Sequence, residues 1–162
     1  MDRNIPVVIL CGGKGTRMGM VDLPKPMFKI GKRPILWHIM SIYAYYGFKN
    51  FILALGYKKE VIKKYFKQVK RWNIKFVDTG QESNTGDRIK QVENLIKSET
   101  FFATYGDCLS DLNINQLLKF HYQHKKLATL TSVRPVSPFG ILGIDAHTSG
   151  VTYFQEKPQL DH

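Results

Sequence analysis

The chain has 162 residues, 43% of them hydrophobic, with 24 Lys and Arg against 13 Asp and Glu for a formal net charge of +11. That length fits one domain with its own core, and the apolar fraction excludes an intrinsically disordered chain. No apolar run is long enough to span a bilayer, the N-terminal Met-Asp-Arg-Asn lacks a signal-peptide segment, and Cys11 and Cys108 form neither a CxxC nor a disulfide framework. The expectation is a cytoplasmic protein with reduced thiols and no membrane partner.

Pro6-Val-Val-Ile-Leu10 is a β-branched, apolar run with the pattern of a buried parallel strand. It empties into Leu10-Cys-Gly-Gly-Lys-Gly-Thr-Arg-Met18, followed by Leu23-Pro-Lys-Pro-Met27. A strand ending in glycines leaves backbone N–H groups that an anion can approach closely. Gly12, Gly13 and Gly15 carry no Cβ to hold phosphate oxygens away, Thr16 can donate a hydroxyl, and Arg17 offers a planar fork for phosphate. Pro24 and Pro26 stiffen the backbone on either side of Lys25. The loop matches neither the Walker pattern nor the dinucleotide fingerprint, and by itself it also fits a plain glycine turn followed by solvated cations.

Pro34 to Tyr46 reads as a helix opened by proline and stopped by Gly47, with His38 as a core or interface residue. Phe51 to Leu55 is the next strand, ending in Gly56-Tyr57-Lys58. The stretch Lys58 to Lys75 then concentrates basic residues around Val61, Ile62, Tyr65, Phe66 and Val69 at helical spacing. This is an amphipathic helix with a solvated cationic face, to be weighed against a polyanion site; nucleic acid is not expected as a partner. Asn73 to Val77 is a third strand, leading into the loop Asp78 to Arg88 and a helix over about Arg88 to Ile96. Thr100 to Tyr105 is a strand with a tight Gly106-Asp107 exit, and Ile114 to about Lys125 is an amphipathic helix carrying His121 and His124 on its surface. Leu127 to Val133 reads as a further strand, and Phe139 to Asp145 with Val151 to Phe154 as a hairpin.

Alternating strands and helices imply an α/β fold, a mostly parallel sheet with helices on both faces. Ligands of such sheets gather at the carboxyl ends of the strands. Four informative loops fall there: the glycine loop, Gly56-Tyr57, Asp78 to Arg88, and Gly106-Asp107. Asp107 is placed to hold a divalent cation or, in the blander reading, to cap a turn. Asn113 is a good cap for the helix that follows.

The string GGxGTR…PKP resembles the signature of the sugar-phosphate nucleotidylyltransferases, which join a nucleoside triphosphate to a sugar phosphate and release pyrophosphate. Pro34-Ile-Leu-Trp-His-Ile-Met40, Val77-Asp-Thr-Gly80, Ser83-Asn-Thr-Gly-Asp-Arg88 and Thr104-Tyr-Gly-Asp-Cys-Leu-Ser-Asp111 resemble in particular the branch of the glucose-1-phosphate cytidylyltransferases. The likeness runs from about residue 6 to residue 158. It implies a three-layer, Rossmann-like nucleotidyltransferase fold in a single domain, 1–162, with a nucleotide-binding part over 1–126 and the start of a sugar-phosphate part over 127–162. CTP, or another nucleoside triphosphate, and glucose 1-phosphate would be the substrates, Mg²⁺ the cofactor, nucleotide-sugar and polysaccharide biosynthesis the setting, and a homo-oligomer the possible assembly.

Carried over by position, the resemblance implies that Leu10, Gly12, Gly13, Gly15 and Thr16 cradle the nucleotide. Arg17 and Lys25 would be catalytic, binding the outgoing pyrophosphate and the α-phosphate. Thr85, Gly86 and Arg88 would border the base, and Asp107 would hold Mg²⁺ beside the nucleotide. Gly140 and Glu156 would meet sugar hydroxyls and Lys157 the sugar's phosphate, although Glu156 and Lys157 alone equally suit an exposed charged pair. Three departures stand out. The sequence stops at His162, before the family's C-terminal part; the connection from Gln68 to Asn73 is short where the branch carries an insertion; and Asp87 replaces the usual glycine. The alternatives are another nucleotide or acceptor on the same fold, a non-catalytic binding module, and a polyanion-binding protein.

Overall fold

The computed structural model describes residues 2–14 and 23–159. Gly15, Thr16 and Arg17 therefore lie outside the described residues. In chain order the elements are β1 (Val7–Cys11), a short antiparallel pair β2 (Lys29–Ile30) and β3 (Arg33–Pro34), α1 (Ile35–Tyr45), β4 (Asn50–Leu55), α2 (Lys59–Phe66), β5 (Asn73–Asp78), α3 (Thr85–Gln91), β6 (Phe102–Tyr105), α4 (Ile114–His124), β7 (Ile141–Ile144) and β8 (Val151–Gln155). A 3₁₀ turn at Lys25–Met27 precedes β2, and another at Glu93–Leu95 follows α3.

Strands β5, β4, β1 and β6 pair in that order, all parallel, in one sheet. The two inner strands, β1 and β4, are buried on both faces, which is why they read as near-continuous apolar runs. Because side chains alternate along a strand, Val7, Ile9 and Cys11 face one side together with Phe51, Leu53 and Leu55. There they meet Leu36, Ile39 and Met40 of α1, Ile62 and Phe66 of α2, and Ile114 and Leu118 of α4. Val8, Ile52 and Ala54 face the other side and pack under Val92, with Leu95 and Ile96 beside it. Helical layers thus cover both faces, as the sequence predicts. Among the described residues, no helix is long and apolar enough to cross a membrane.

Two local expectations fail. The helix expected from Arg88 begins at Thr85, because the Asn84 side chain accepts the Asp87 N–H at 2.9 Å and caps the helix early. Asp87 thereby becomes a first-turn acid, suited to the helix dipole. Leu127 to Val133 forms no strand: Leu127, Leu130 and Val133 are exposed and no ladder pairs with them among the described residues. β-propensity without a sheet edge to satisfy the backbone does not make a strand.

Contacts divide the chain into two compact units, Met1–Leu118 and Lys119–His162, the boundary falling inside α4. Within the second unit, β7 and β8 pair antiparallel, with Leu142 opposite Phe154. The hairpin turn is held by the Asp145 carboxylate, which accepts the N–H groups of His147 (2.9 Å) and Thr148 (2.7 Å). These hydrogen bonds hold the Asp145 carboxyl below its ordinary range.

Candidate functional site

In the first unit, strand register brings the loops together. Cys11 lies opposite Leu55, Leu55 opposite Asp78, and Leu10 opposite Tyr105. The next residues, Gly12, Gly56, Thr79 and Gly106, therefore leave the sheet along one carboxyl edge. The closeness of three of these loops is measured by what a side chain would meet. A Cβ on Gly56 would fall 2.4 Å from the Gly80 carbonyl oxygen and 2.7 Å from that of Gly12. Only glycine lets these backbones approach so closely.

Arg88 occupies the centre of that cluster, 5% exposed. Its Nη1 donates to Thr79 Oγ1 (2.6 Å) and to the Gly80 carbonyl (2.7 Å), with the Leu55 carbonyl at 3.4 Å. Its Nη2 donates to the carbonyls of Gly12 and Gln81, each at 3.2 Å. A Cβ on Gly12 would sit 2.0 Å from Nη1, so Gly12 is small to make room for this guanidinium, whereas a Cβ on Gly13 would meet open space. Lys14, next in the loop, forms an ion pair with Glu82 across to the β5 exit. Thr85 and Gly86 occupy the exposed first turn of α3.

At the other end of the edge, the Lys25–Met27 turn packs on the β6 exit. A Cβ on Gly106 would lie 2.7 Å from Cys11 Sγ and 3.0 Å from Pro26 Cγ. The contact brings the turn that carries Lys25 against the exit that carries Asp107, at the end of β1. The two thiols report the same proximity. Burial pushes the Cys11 thiol far above its ordinary range, the Asp107 charge adds to this, and the Arg88 charge opposes it. Burial and Asp107 also raise the Cys108 thiol, while Lys25 pulls it down.

Asp107 is exposed at the strand end, with the Cys108 thiol 3.7 Å from its Oδ1. Among the described residues no cluster of three or more His, Cys, Asp or Glu could form a metal cage. One accessible carboxylate suits Mg²⁺, which commonly keeps waters and shares its shell with substrate phosphates instead of taking a full protein cage. The residues fit the ion in that shared form.

In the second unit, Gly140 and Glu156 are neighbours: a Cβ on Gly140 would lie 3.1 Å from Glu156 Oε2 and 2.6 Å from Phe154 Cε2. Lys157 Nζ lies 3.9 Å from Glu156 Oε1, both side chains being mostly exposed. Two histidines among the described residues have local partners. His38 Nε2 lies 3.0 Å from the Ile30 carbonyl and His121 Nδ1 lies 2.9 Å from Thr129 Oγ1. Sequence reasoning names the Val77-Asp-Thr-Gly80 string but misses Thr79, whose 2% exposure and bond to Arg88 make it part of the edge. A polar residue placed where a strand leaves a buried sheet is the signal that marks it.

Residues 6–162 match the family model described as nucleotidyl transferase. The chain belongs to that family. As a nucleotidyltransferase it is 44% identical to the glucose-1-phosphate cytidylyltransferase of Salmonella typhi, over 95% of this chain and 69% of that protein. The identity to the probable glucose-1-phosphate cytidylyltransferase of Bacillus subtilis is also 44%, with the same coverage. Among solved structures, HddC from Yersinia pseudotuberculosis complexed with GMP-PN superposes with a TM-score of 0.67 and 28% identity, over 96% of this nucleotidyltransferase and 71% of that chain. UDP-glucose pyrophosphorylase complexed with UDP-glucose, at 18% identity and a TM-score of 0.62, shares the fold.

Proposed function

We propose that this nucleotidyltransferase transfers a cytidylyl group from CTP to a sugar 1-phosphate, with glucose 1-phosphate as acceptor, giving CDP-glucose and pyrophosphate. An oxygen of the sugar phosphate attacks the α-phosphorus of CTP. The bond from that phosphorus to the bridging oxygen breaks, and pyrophosphate leaves with the electron pair. All the participants are anions, so placing them and neutralising their charge supply most of the rate. The observation that supports the reading is the packing of the Pro24-Lys-Pro26 turn on Gly106, which brings the turn carrying Lys25 against the exit carrying Asp107. The 44% identity to cytidylyltransferases supports the choice of base.

In this reading Leu10, Gly12 and Gly13 border the nucleotide's phosphates and ribose, with Thr85 and Gly86 toward the base and Arg88 acting through the loop carbonyls it holds. Lys25 stabilises charge developing at the α-phosphate. Asp107 holds Mg²⁺, which when bound offsets charge on the phosphate oxygens. Gly15, Thr16 and Arg17, outside the described residues, complete the phosphate cradle by position in the sequence, Arg17 toward the pyrophosphate. Gly140 and Glu156 serve the sugar hydroxyls and Lys157 the sugar phosphate.

The test is release of pyrophosphate from CTP and glucose 1-phosphate with Mg²⁺, compared with GTP, UTP and dTTP. CTP is expected to be preferred, and Lys25→Ala to lower kcat by roughly 10²–10³-fold, the usual cost of losing one charge-stabilising donor. Asp107→Asn is expected to abolish Mg²⁺-dependent turnover. A preference for GTP is the second reading, favoured by the GMP-PN complex of HddC. Nucleotide binding with no release for any acceptor would sink both and leave a binding module.

A further inference from the structure

We infer that Arg88 is a positioning residue: its guanidinium clasps the exits of β1, β4 and β5 into one fixed arrangement, and the nucleotide meets the loops so held. The inference rests on the nucleotide reading above for its functional consequence, but the clasp itself is a feature of the fold.

Five oxygens from three separate points of the chain surround one guanidinium: Gly12, Leu55 and the Thr79–Gln81 segment. Four of the five are backbone carbonyls, so what Arg88 fixes is the path of the main chain. Each carbonyl oxygen has two lone pairs to offer, and these carbonyls crowd where the parallel strands end, so one guanidinium can donate to several at once. Arg88 satisfies them together. The same carbonyls also hold ladder-like bonds across the edge: Gly12 accepts the Tyr57 N–H at 3.1 Å and Leu55 accepts the Thr79 N–H at 2.8 Å. Losing the clasp therefore loosens two inter-loop bonds that a protein chemist can observe.

Around the guanidinium the packing has no slack. Gly12 and Gly56 both lack the Cβ that would strike Nη1, at 2.0 Å and 2.9 Å respectively. Gln91 adds a second tie, its Nε2 donating to the Thr79 carbonyl (3.3 Å) and to Ser83 Oγ (3.2 Å). No carboxylate pairs with Arg88 among the described residues, where its guanidinium meets four backbone carbonyls and the Thr79 hydroxyl. A planar, permanently charged fork with several donors can do this; a lysine ammonium cannot span the same set. Lys25 and Asp107 stand outside the clasp, held by the Pro26–Gly106 contact.

Three measurements on the full chain test the inference. In hydrogen exchange without ligand, Arg88→Lys is expected to speed exchange of the Tyr57 and Thr79 amides while the central amides of β1 and β4 keep their protection; Thr79→Val should do the same to a smaller extent. In steady-state kinetics, Arg88→Lys is expected to raise KM for CTP by roughly tenfold or more, as befits lost charged hydrogen bonds, with kcat changed by less than about threefold, because the guanidinium bonds to neither Lys25 nor Asp107. Gly12→Ala should impair the wild-type background more than the Arg88→Ala background, where the space its Cβ needs has been vacated. Unchanged exchange at both amides, a loss confined to kcat, or strict additivity of Gly12→Ala with Arg88→Ala would each overturn the clasp. If the wild type neither binds nor turns over CTP while the two amides still loosen in Arg88→Lys, the clasp stands and the CTP reading falls.

Discussion

The carboxyl edge of the parallel sheet and the β7–β8 hairpin carry the two halves of the proposed chemistry, and they are built in opposite ways. At the edge, the loops leave a sheet whose two inner strands are buried and apolar, and they are locked to one another through Arg88, Gly12, Gly56 and Gly106. In the hairpin, Leu142, Tyr153 and Phe154 are more than half exposed, and order comes from local devices: one antiparallel ladder, the Asp145 turn, and the Ser137 N–H bonded to the Pro158 carbonyl at 2.8 Å. Precision in the first region is inherited from a core, whereas in the second it is local. Substitutions should therefore propagate in one and stay local in the other.

The largest contrast is expected from truncating an aromatic side chain in each region. Phe66→Ala removes a ring that is 1% exposed and should lower unfolding free energy by about 3–5 kcal/mol. Phe154→Ala, 63% exposed, should change it by no more than about 0.5 kcal/mol. Denaturant titration of both variants checks the pair, and similar losses would break the comparison.

Glycines give the next contrast. Gly56→Ala drives a Cβ into two backbone carbonyls, which cannot swing aside, and should cost about 1–3 kcal/mol together with nucleotide affinity. Gly143→Ala meets chiefly the ring of Tyr153, a half-exposed side chain free to turn away, and should be mild. Thermal melts with and without CTP separate the two.

A smaller effect should appear on the alkaline side. Cys11, fully buried, keeps its proton in the folded chain above the range where an unfolded thiol loses it. The folded pKa is raised, so its contribution is complete below the unfolded value and declines as pH rises above about 8.5, with a limiting slope near 1.4 kcal/mol per pH unit. Cys11→Ala should flatten that decline in stability curves taken between pH 8 and 10. Cys108, exposed, should react with a thiol reagent in the native state while Cys11 reacts only on unfolding.

The smallest is acidic. Asp78 is held below its ordinary value first by its hydrogen bond with Lys59, then by the Gly80 N–H, and both groups are exposed. Its contribution is present above the unfolded carboxylate value and is lost as pH falls through the folded one. Asp78→Asn should remove a salt-sensitive sliver of stability near neutral pH and none at strongly acid pH, readable as a shift in Tm at low ionic strength.

Much of this was legible in the residues. The runs at Pro6 to Leu10 and Phe51 to Leu55 read as strands, the first with the pattern of a buried parallel one, and Pro34, Gly47 and Asn113 mark helix ends that the structure places within a residue or two. Leu127 to Val133 shows the limit: its β-branched composition was real, but a strand also needs a neighbour, and which edges are open is a property of the assembled sheet. Thr85 shows another, since Asn84 rather than Arg88 opens α3, and the choice between nearby caps is made by what the loop must reach.

The sequence by itself determined the alternation of elements, the amphipathic faces and the identity of the loop residues, because these follow from local periodicity and from steric rules that act between neighbours in the chain. Only the tertiary structure decided that Arg88 turns inward to five oxygens, that Gly12 is small for its sake, and that the Lys25 turn rests on Gly106. Those facts depend on strand order and register, which bring residues 12, 56, 80 and 88 within a few ångströms across long stretches of chain, and no local signal encodes that meeting.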